Sequence, residues 1–464
     1  MKYVRVSAGA LLWAAGSTLA APPEPGVHYH DEPGANPSMV RFAPFGESDL
    51  LARSFSVSGP SDELVDIVFI GDGYTEPELP QFVQDANQAA DDIFSYEPFI
   101  SYLPFFEFHF PEQASNESGV DNDPVQGIQK DTAFDMTFWC GGTERALCVN
   151  TSKARGFAAA NVPGWDVVVA LANTTKYGGV GYPSLNVATS AGRNGSTGDI
   201  VLHELGHALG NLADEYTYGG PFTYSGGEPA GVNVSTLNAS EMAAQNRKWA
   251  TWLDASLPGF DNPISTYEGA NYSVEGIYRP TNNSMMRALG RPFNLVSAEA
   301  LILAIHDASA MITTADPAPG EIGVGDSLSL TVVESALGPM GVRWLVNGSV
   351  VAEGDGLYSI DTATLGTVDG DQVTVEVVDE SIWVRDEAAR ESVMTERLTW
   401  TVVGTACNVA DIADPAGILD LSDVDRFILT FVLGASEADI AAPFGIFDLS
   451  DIDAFIESFL AGCP

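Results

Sequence analysis

Basic residues are scarce in this chain of 464 residues: 20 lysines and arginines stand against 63 aspartates and glutamates, for a formal net charge of −43. A surface this acidic repels the phosphate backbone, so the composition predicts no nucleic-acid partner. A dispersed acidic surface instead keeps a protein soluble and tolerant of salt and divalent cations. We therefore interpret the charge as solvation rather than as a docking site.

Long apolar runs are also lacking, except at the N-terminus. There Lys2 and Arg5 precede an apolar run from Val6 to Ala15, and small residues lead to Ala20. This pattern is typical of a secretory signal peptide, which we place at residues 1–20. No other stretch approaches the roughly 18 apolar residues that a membrane span requires. The sequence thus predicts a secreted, extracellular protein with no membrane span.

Cysteine is rare as well, with only four in the chain. In an oxidising compartment these residues are expected to form disulfides, and three connectivities are possible on paper. The local pairs Cys140–Cys148 and Cys407–Cys463 keep each bridge within one domain. A zinc site made of cysteines is the weaker interpretation, because the sequence has no CxxC motif.

The chain has only six histidines, yet two of them lie four residues apart in HELGHALGNLADEY, residues 203–216. Residues four apart share one face of a helix, so His203 and His207 can both bind one zinc ion. Glu204 projects beside them and is placed to take a proton from a water molecule whose pKa zinc lowers to about 7. The motif predicts a zinc-dependent hydrolase with Glu204 as the general base.

Zinc needs a third protein ligand, and no further histidine follows closely in the sequence. Asp214 and Glu215 are the nearest carboxylates, but two more helical turns would carry them about 10 Å from His207. Gly210 can take the positive φ that ends a helix and turns the chain back. We therefore expect Asp214 to be the third ligand, with Glu215 as the alternative.

This segment resembles the IgA-peptidase family of zinc metalloendopeptidases, whose signature is an HExxH helix that runs through a glycine into LADEY. Three other segments resemble family landmarks in the expected order: IVFIGDGYT at 67–75, YGGVGYP at 177–183 and RPTNNSMMR at 279–287. The resemblance implies an α/β zincin-like (metzincin-like) catalytic domain with Met286 in a tight turn beneath the metal. The related metzincins have a ligand ten positions after the first zinc histidine, where this chain has Ala213 and Asp214 comes next.

Two strands are predicted just before the motif helix, from WDVVVALAN at 165–173 and SLNVATSA at 184–191. In zincin-like proteases an edge strand here binds the substrate peptide as an additional strand. The glycines between the two segments, Gly178, Gly179 and Gly181, permit either a mobile flap or a tight connection. The sequence leaves both alternatives open.

A change of composition at residues 315–320 marks a domain boundary. Short β-rich runs after it, such as SLSLTVV, VRWLVNG and QVTVEVV, predict an all-β sandwich domain over residues 315–404. The segment before it divides into an N-terminal extended segment, residues 21–62, and the catalytic domain, residues 63–314.

The last domain, residues 405–464, contains an internal repeat: GILDLSDVDRFI at 417–428 recurs as GIFDLSDIDAFI at 445–456. A glycine, aspartates three and six residues later, and a following helix match the later half of a calcium loop. The segment resembles the paired loops of dockerin domains, which implies a small helical dockerin-like domain that can bind Ca²⁺. The candidate calcium ligands are Asp420, Asp423, Asp448 and Asp451, with Asp411, Asp414 and Asp439 as additional candidates. The alternative is a metal-free helical pair held by Cys407–Cys463.

The leading functional hypothesis is a secreted zinc-dependent endopeptidase acting on proteins or peptides, with a tail that binds a cell-surface or scaffold partner. The alternative is an inactive protease-like adhesion or scaffold protein that binds through its C-terminal domains, although the intact motif argues against it. A carbohydrate-active hydrolase is a third hypothesis, since dockerin-like tails often accompany such enzymes. It leaves the HExxH helix unexplained.

Overall fold

The computed structural model describes residues 63–217, 222–351, 355–404 and 407–463. The predicted signal peptide, residues 1–20, and the predicted extended segment, residues 21–62, lie outside these ranges. Within them, no helix combines the length and the apolar character needed to cross a bilayer.

A five-stranded sheet forms the centre of the first half of the chain. Its strands are β1 (Val65–Asp72), β2 (Phe106–His109), β3 (Val167–Ala172), β4 (Gly179–Tyr182) and β5 (Val187–Ala191). They lie in the order β2, β1, β3, β5, β4, and β4 alone runs antiparallel to its neighbour. The glycine-containing run YGGVGYP is therefore neither a flap nor a simple connection, because it contains an edge strand of the sheet.

Helices cover both faces of this sheet. The α-helices of this half of the chain are, among the described residues, α1 (Leu79–Ile93), α2 (Phe99–Tyr102), α3 (Thr151–Asn161), α4 (Thr197–Ala208), α5 (Ala239–Gln245) and α6 (Leu295–Ala308). Of these, α5 packs away from the sheet, in a separate cluster with Trp249 and Trp252. Successive side chains of a strand point to opposite faces. Ile67 and Phe69 of β1 accordingly pack in the core beneath α1, α4 and α6, whereas Val68 and Ile70 pack in a second core against α3. Both faces are buried, which explains why β1 is a continuous apolar run.

The end of α4 differs in detail from the prediction. The helix ends at Ala208, and the residue with positive φ is Asn211, at 48°, rather than Gly210. Asparagine tolerates this left-handed conformation better than most residues. The small size of Gly210 serves packing instead, because a Cβ atom there would lie 3.0 Å from Cδ2 of Leu301. The chain does turn back after the helix, but one residue later than predicted.

Residues 217–282 are rich in Gly, Pro, Ser, Thr and Asn, a composition that predicts long loops, but their described part holds more regular structure than this. Besides α5 it contains a hairpin of β6 (Tyr267–Ala270) and β7 (Ser273–Arg279). The prediction is wrong here because Gly269 and Gly276, with φ of 96° and 79°, interrupt the alternating pattern that identifies strands.

The second half of the chain is mostly β-structure, as predicted. Its strands are β8 (Ile312–Asp316), β9 (Glu321–Gly323), β10 (Ser327–Val332), β11 (Gly341–Val346), β12 (Ser349–Val351), β13 (Ser359–Asp361), β14 (Gln372–Val378) and β15 (Thr395–Val403). They form a three-stranded sheet, β13-β10-β8, and a five-stranded sheet, β12-β11-β14-β15-β9. Leu328 of the first sheet and Trp344 and Trp400 of the second belong to one hydrophobic cluster. A short helix, α7 (Glu387–Val393), precedes β15.

The predicted boundary between the two halves falls within a strand. Strand β8 spans the expected boundary at residues 314 and 315 and pairs with β10, so the β-rich region begins at about Ile312. A buried polar contact joins the halves: Asp379 accepts hydrogen bonds from the hydroxyl of Tyr102 (2.7 Å) and from Nε2 of His306 (2.9 Å). His306 is thus a packed helix residue with a structural partner.

The tail consists of two helices, α8 (Leu421–Leu433) and α9 (Leu449–Ala461), one from each repeat. The rings of Phe427 and Phe455 occupy equivalent positions in the repeats and stack with centroids 4.1 Å apart. Both predicted disulfides, Cys140–Cys148 and Cys407–Cys463, are confirmed.

Candidate metal centre

Three predicted ligands converge at the C-terminal end of α4. The Nε2 atoms of His203 and His207 lie 3.0 Å apart, because residues four apart share a helix face. Oδ1 of Asp214 lies 3.0 Å from the first Nε2 and 3.3 Å from the second, and all three side chains are buried. The structure therefore brings together two imidazoles and one carboxylate that could hold a metal ion.

The hydrogen bonds of Nδ1 fix the tautomer of each imidazole and so determine that Nε2 is available to a metal ion. Nδ1 of His203 lies 2.9 Å from the carbonyl oxygen of Met285, and Nδ1 of His207 lies 2.6 Å from that of Leu212. A carbonyl oxygen only accepts, so each Nδ1 carries the proton, and in a neutral ring Nε2 presents a lone pair. Two lone pairs and a carboxylate oxygen then face one another, which is unfavourable unless a cation lies among them or a ring takes a second proton. The donor set fits a metal ion.

Glu204 lies next to this point and is fully buried. Strand β4 passes close by: a Cβ atom added to Gly181 would lie 2.2 Å from Oε2 of Glu204 and 3.5 Å from Cδ2 of His207. Only a glycine lets the edge strand approach the carboxylate this closely. The glycine run of the sequence thus brings the backbone of β4 to the side of the candidate general base.

A tight turn at residues 284–287 packs against the metal centre. Besides the Met285 carbonyl, the turn supplies Met286, which is fully buried against α4: a Cβ atom at Gly206 would lie 2.6 Å from its sulfur. The thioether therefore packs against the helix between the two histidines. The role of Met286 as the methionine of a turn beneath the metal stays a prediction from the family resemblance.

Glu215, the alternative third ligand, is engaged elsewhere. Its carboxylate accepts hydrogen bonds from Ser284 (2.7 Å), Asn233 (3.0 Å) and Asn294 (3.0 Å). Burial raises its pKa to about 7, although these three hydrogen bonds act in the opposite direction. The structure thus places Asp214 beside the histidines and uses Glu215 to join three segments around them.

One residue that the sequence analysis did not single out contacts Asp214. The hydroxyl of Tyr272, in the loop between β6 and β7, donates a hydrogen bond to Oδ2 of Asp214. Its sequence signal is weak: an Asn-Tyr pair between two short strands, where asparagine suits a hairpin turn. Only the folded hairpin brings this tyrosine to the metal centre.

Two other clusters of potential ligands in the described ranges are explained without a metal. Nε2 of His109 lies 2.6 Å from Oδ1 of Asp66, with Glu107 nearby. That distance is typical of a charge-assisted hydrogen bond and is shorter than two ligands of one ion would keep. The second cluster joins Asp411 to Cys407 and Cys463, whose sulfurs are in a disulfide and cannot act as thiolates.

The predicted calcium ligands of the tail act as helix caps. Asp423 accepts the amides of Ile412 (2.8 Å), Ala413 (2.9 Å) and Asp420 (2.9 Å), and Asp451 accepts the equivalent amides in the second repeat. Asp420 and Asp448 cap α8 and α9 through the amides of Ser422 and Ser450. The additional candidates also make hydrogen bonds within the protein: Asp411 accepts the amides of Cys407 and Gly417, Asp439 accepts the amide of Gly445, and Ser422 donates to the carbonyl of Asp414. Among described residues, none of these aspartates forms a three-ligand group with the others. Calcium binding stays a prediction.

An apolar groove lies between the two tail helices. It is lined by equivalent side chains of the repeats, including Val424, Phe427, Phe431, Ile452, Phe455 and Phe459. At its edges Val432 and Leu460 are 76% and 80% exposed. A surface this apolar is unusual for a soluble domain and is typical of a protein-binding site.

In this site one helix provides two histidines and a glutamate, and the segment after the helix brings an aspartate beside the histidines. This set of groups is typical of a metal-dependent hydrolase. The family model described as IgA Peptidase M64 matches residues 54–263, somewhat less than half of the chain. This match includes α4 and Asp214, and it confirms the resemblance to the IgA-peptidase family: the segment is similar to a peptidase domain. No curated protein matches the chain.

Proposed function

We propose that this protein is a secreted zinc-dependent endopeptidase. The observation that carries the proposal is the convergence of His203, His207 and Asp214 at one buried point, with Glu204 beside them. The match to a peptidase family over the same segment supports it. The alternative, an inactive adhesion or scaffold protein, is not favoured, because it leaves this complete set of groups without a role.

The spacing of the three atoms suits zinc. Zinc bonds to nitrogen and oxygen are about 2.1 Å long, so two ligands of a tetrahedral ion lie about 3.4 Å apart. The observed separations of 3.0 Å and 3.3 Å are close to this value. Two imidazoles and one carboxylate also form one of the usual donor sets of catalytic zinc sites, which keep a fourth position open.

Each group of the site would have a separate role in peptide-bond hydrolysis. Zinc bound here would polarise the scissile carbonyl group and acidify a water molecule. Glu204 takes a proton from the attacking water and passes it to the nitrogen of the leaving amine. The carbonyl groups of Met285 and Leu212 keep both histidines in the tautomer that leaves Nε2 available.

Strand β4 is the candidate binding surface for the substrate. It is one of the two edge strands of the sheet, paired with β5, and its Gly181 lies against Glu204. An extended peptide that pairs with its outer edge adds a strand to the sheet through main-chain hydrogen bonds. This arrangement would place the scissile bond beside the carboxylate and is compatible with many substrate sequences.

Cleavage of a mixed peptide library by the purified full chain tests the proposal. We expect internal cleavage of the peptides, complete loss with a zinc chelator, and recovery when zinc is added back. Cleavage that resists chelation would contradict a zinc mechanism. A chain that binds zinc but cleaves no peptide would favour the adhesion or scaffold alternative.

Secretion and the function of the tail are also part of the proposal. The N-terminal pattern of residues 1–20 supports export, and two disulfides suit an oxidising compartment. The apolar groove between α8 and α9 supports a role for the tail in binding a cell-surface or scaffold partner. Expression with and without residues 1–20, followed by measurement of the protein in the medium, tests the export.

A further inference from the structure

The hairpin of β6 and β7 ends in a loop of two residues with an unusual backbone. Asn271 and Tyr272 have φ of 44° and 64°, as a type I′ turn requires at both central positions. Glycine is the preferred second residue of such a turn, and a bulky side chain in this conformation is strained. Strain of this kind persists where the surrounding structure imposes it, often near functional sites. The outlier raises the question of what the tyrosine side chain does.

The side chain of Tyr272 reaches the third member of the metal centre. Its hydroxyl donates to Oδ2 of Asp214, while Oδ1 of the same carboxylate lies 3.0 Å from Nε2 of His203 and 3.3 Å from Nε2 of His207. Because the hydroxyl holds Oδ2, the carboxylate of Asp214 cannot rotate freely about its Cβ–Cγ bond. The other oxygen is thereby directed at the histidines.

The hairpin loop also holds the backbone around Asp214. The amide of Asn271 donates to the carbonyl of Asp214 (2.9 Å), and the amide of Tyr272 donates to the carbonyl of Tyr216 (3.0 Å). The rings of the two tyrosines pack edge to face, with centroids 5.4 Å apart. The loop therefore fixes the ligand segment by two main-chain hydrogen bonds, one side-chain hydrogen bond and a ring contact.

The base of the hairpin is anchored by a buried arginine. The guanidinium of Arg279 donates to the carbonyl groups of Glu268 (2.7 Å) and Asn282 (3.0 Å). It thus ties β6 to the segment that leads into the methionine turn. With its base held in this way, the hairpin can keep its tip at a fixed position against Asp214.

We propose that Tyr272 is a positioning residue of the metal centre: its hydroxyl orients Asp214 so that one oxygen binds the metal ion. The strained turn is retained because it places this hydroxyl. The inference rests on the proposed function, in which His203, His207 and Asp214 hold zinc. It adds a fixed outer partner for the carboxylate, comparable to the carbonyl partners of the two histidines.

Zinc affinity of the full chain, measured by competition with a chelator, tests the inference. Tyr272→Phe removes only the hydroxyl and is expected to weaken zinc binding 10- to 100-fold, the usual effect of losing such a partner. Tyr267→Phe is the matched control. It also removes a tyrosine hydroxyl from this hairpin, but that hydroxyl donates to the carbonyl of Pro263 (3.3 Å) and not to Asp214. We expect this control to bind zinc like the parent. Parent-like affinity in Tyr272→Phe would overturn the inference.

Tyr272→Gly separates positioning from a merely structural role. Glycine relieves the strain of the turn, which offsets the lost side-chain contacts and the added entropy of the unfolded chain, so the metal-free chain is expected to melt at about the same temperature as the parent. Zinc binding is expected to weaken as in Tyr272→Phe. A lower melting temperature with unchanged zinc affinity would show that the tyrosine is structural only. Failure of the proposed function would look different, because the parent would bind no zinc or His203→Ala would bind it as tightly as the parent.

Discussion

The metal centre and the two tail repeats both carry acidic residues in motifs associated with metal ions, yet they use their carboxylates in opposite ways. At the metal centre, Asp214 Oδ1 faces the Nε2 atoms of His203 and His207, so acceptor faces acceptor. In the tail, the oxygens of Asp423 and Asp451 face backbone amides, so acceptor faces donor. A cation relieves the first arrangement, whereas the second is already satisfied by hydrogen bonds.

The comparison shows why the two motifs differ as predictors. An HExxH helix fixes the relative position of its histidines by the helix itself, whatever lies around it. A calcium loop needs ligands at its early positions as well as its late ones. In the tail the early positions include Pro415 and Pro443, which offer no side-chain ligand, and the late aspartates cap the helices instead. Late-loop spacing alone therefore leaves the function of an aspartate undecided.

The largest effect is expected when Asp214, the carboxylate that faces the two histidines, is removed. We expect Asp214→Ala to lose its zinc on dialysis and to cleave no peptide, because two imidazoles alone hold the ion weakly. Glu215→Ala should keep zinc with an affinity roughly 10- to 100-fold lower, since it loses a supporting network rather than a ligand. Zinc content of the dialysed, folded variants measures both effects. The reverse result, with Glu215→Ala empty and Asp214→Ala unaffected, would make Glu215 the ligand.

Glu204→Gln tests the chemistry of the centre while leaving its geometry in place. The amide keeps the shape of the side chain but cannot accept the proton, so kcat/KM should fall by about 10²- to 10⁴-fold. Zinc content and melting temperature should match those of the parent. Near-normal turnover in this variant would rule out Glu204 as the general base.

Gly181→Ala tests how closely β4 must approach the centre. The added Cβ would lie 2.2 Å from Oε2 of Glu204, so the strand or the carboxylate must shift. A displacement of about 1 Å can lower turnover by about 10²-fold. Gly156→Ala is the control, because the structure leaves open space around it and alanine suits helix α3. Equal turnover in the two variants would show that the close approach has no catalytic role.

The smallest effect is expected in the tail. Asp423→Ala leaves three backbone amides without their acceptor, which should destabilise the tail by about 1–3 kcal/mol. The exposed Asp425, on the same helix, provides a control whose replacement by alanine should have little effect. If capping accounts for Asp423, adding calcium to the parent should leave the melting of the tail unchanged. A calcium-dependent rise in melting temperature would instead support the predicted calcium loops.

The sequence predicted regular elements well where their pattern is strong and locally determined. The apolar runs predicted as strands at β3, β11 and β14 are strands in the structure. Both disulfides follow from local pairing of the cysteines. The hairpin of β6 and β7 was missed because its glycines hide the alternation. The start of the β-rich region was predicted too late, at residue 315. The start of β8 at Ile312 is set by its pairing with β10, and the sequence does not show which strands pair.

For the metal centre, the sequence by itself determined the two histidines and the glutamate, because their spacing alone puts them at one end of one helix. It narrowed the third ligand to two neighbouring carboxylates. Only the tertiary structure decided that Asp214 lies beside the histidines while Glu215 binds Ser284, Asn233 and Asn294. Only the tertiary structure also brings Tyr272 of the hairpin loop and Gly181 of the edge strand to the centre, because the positions of both elements depend on packing rather than on local spacing.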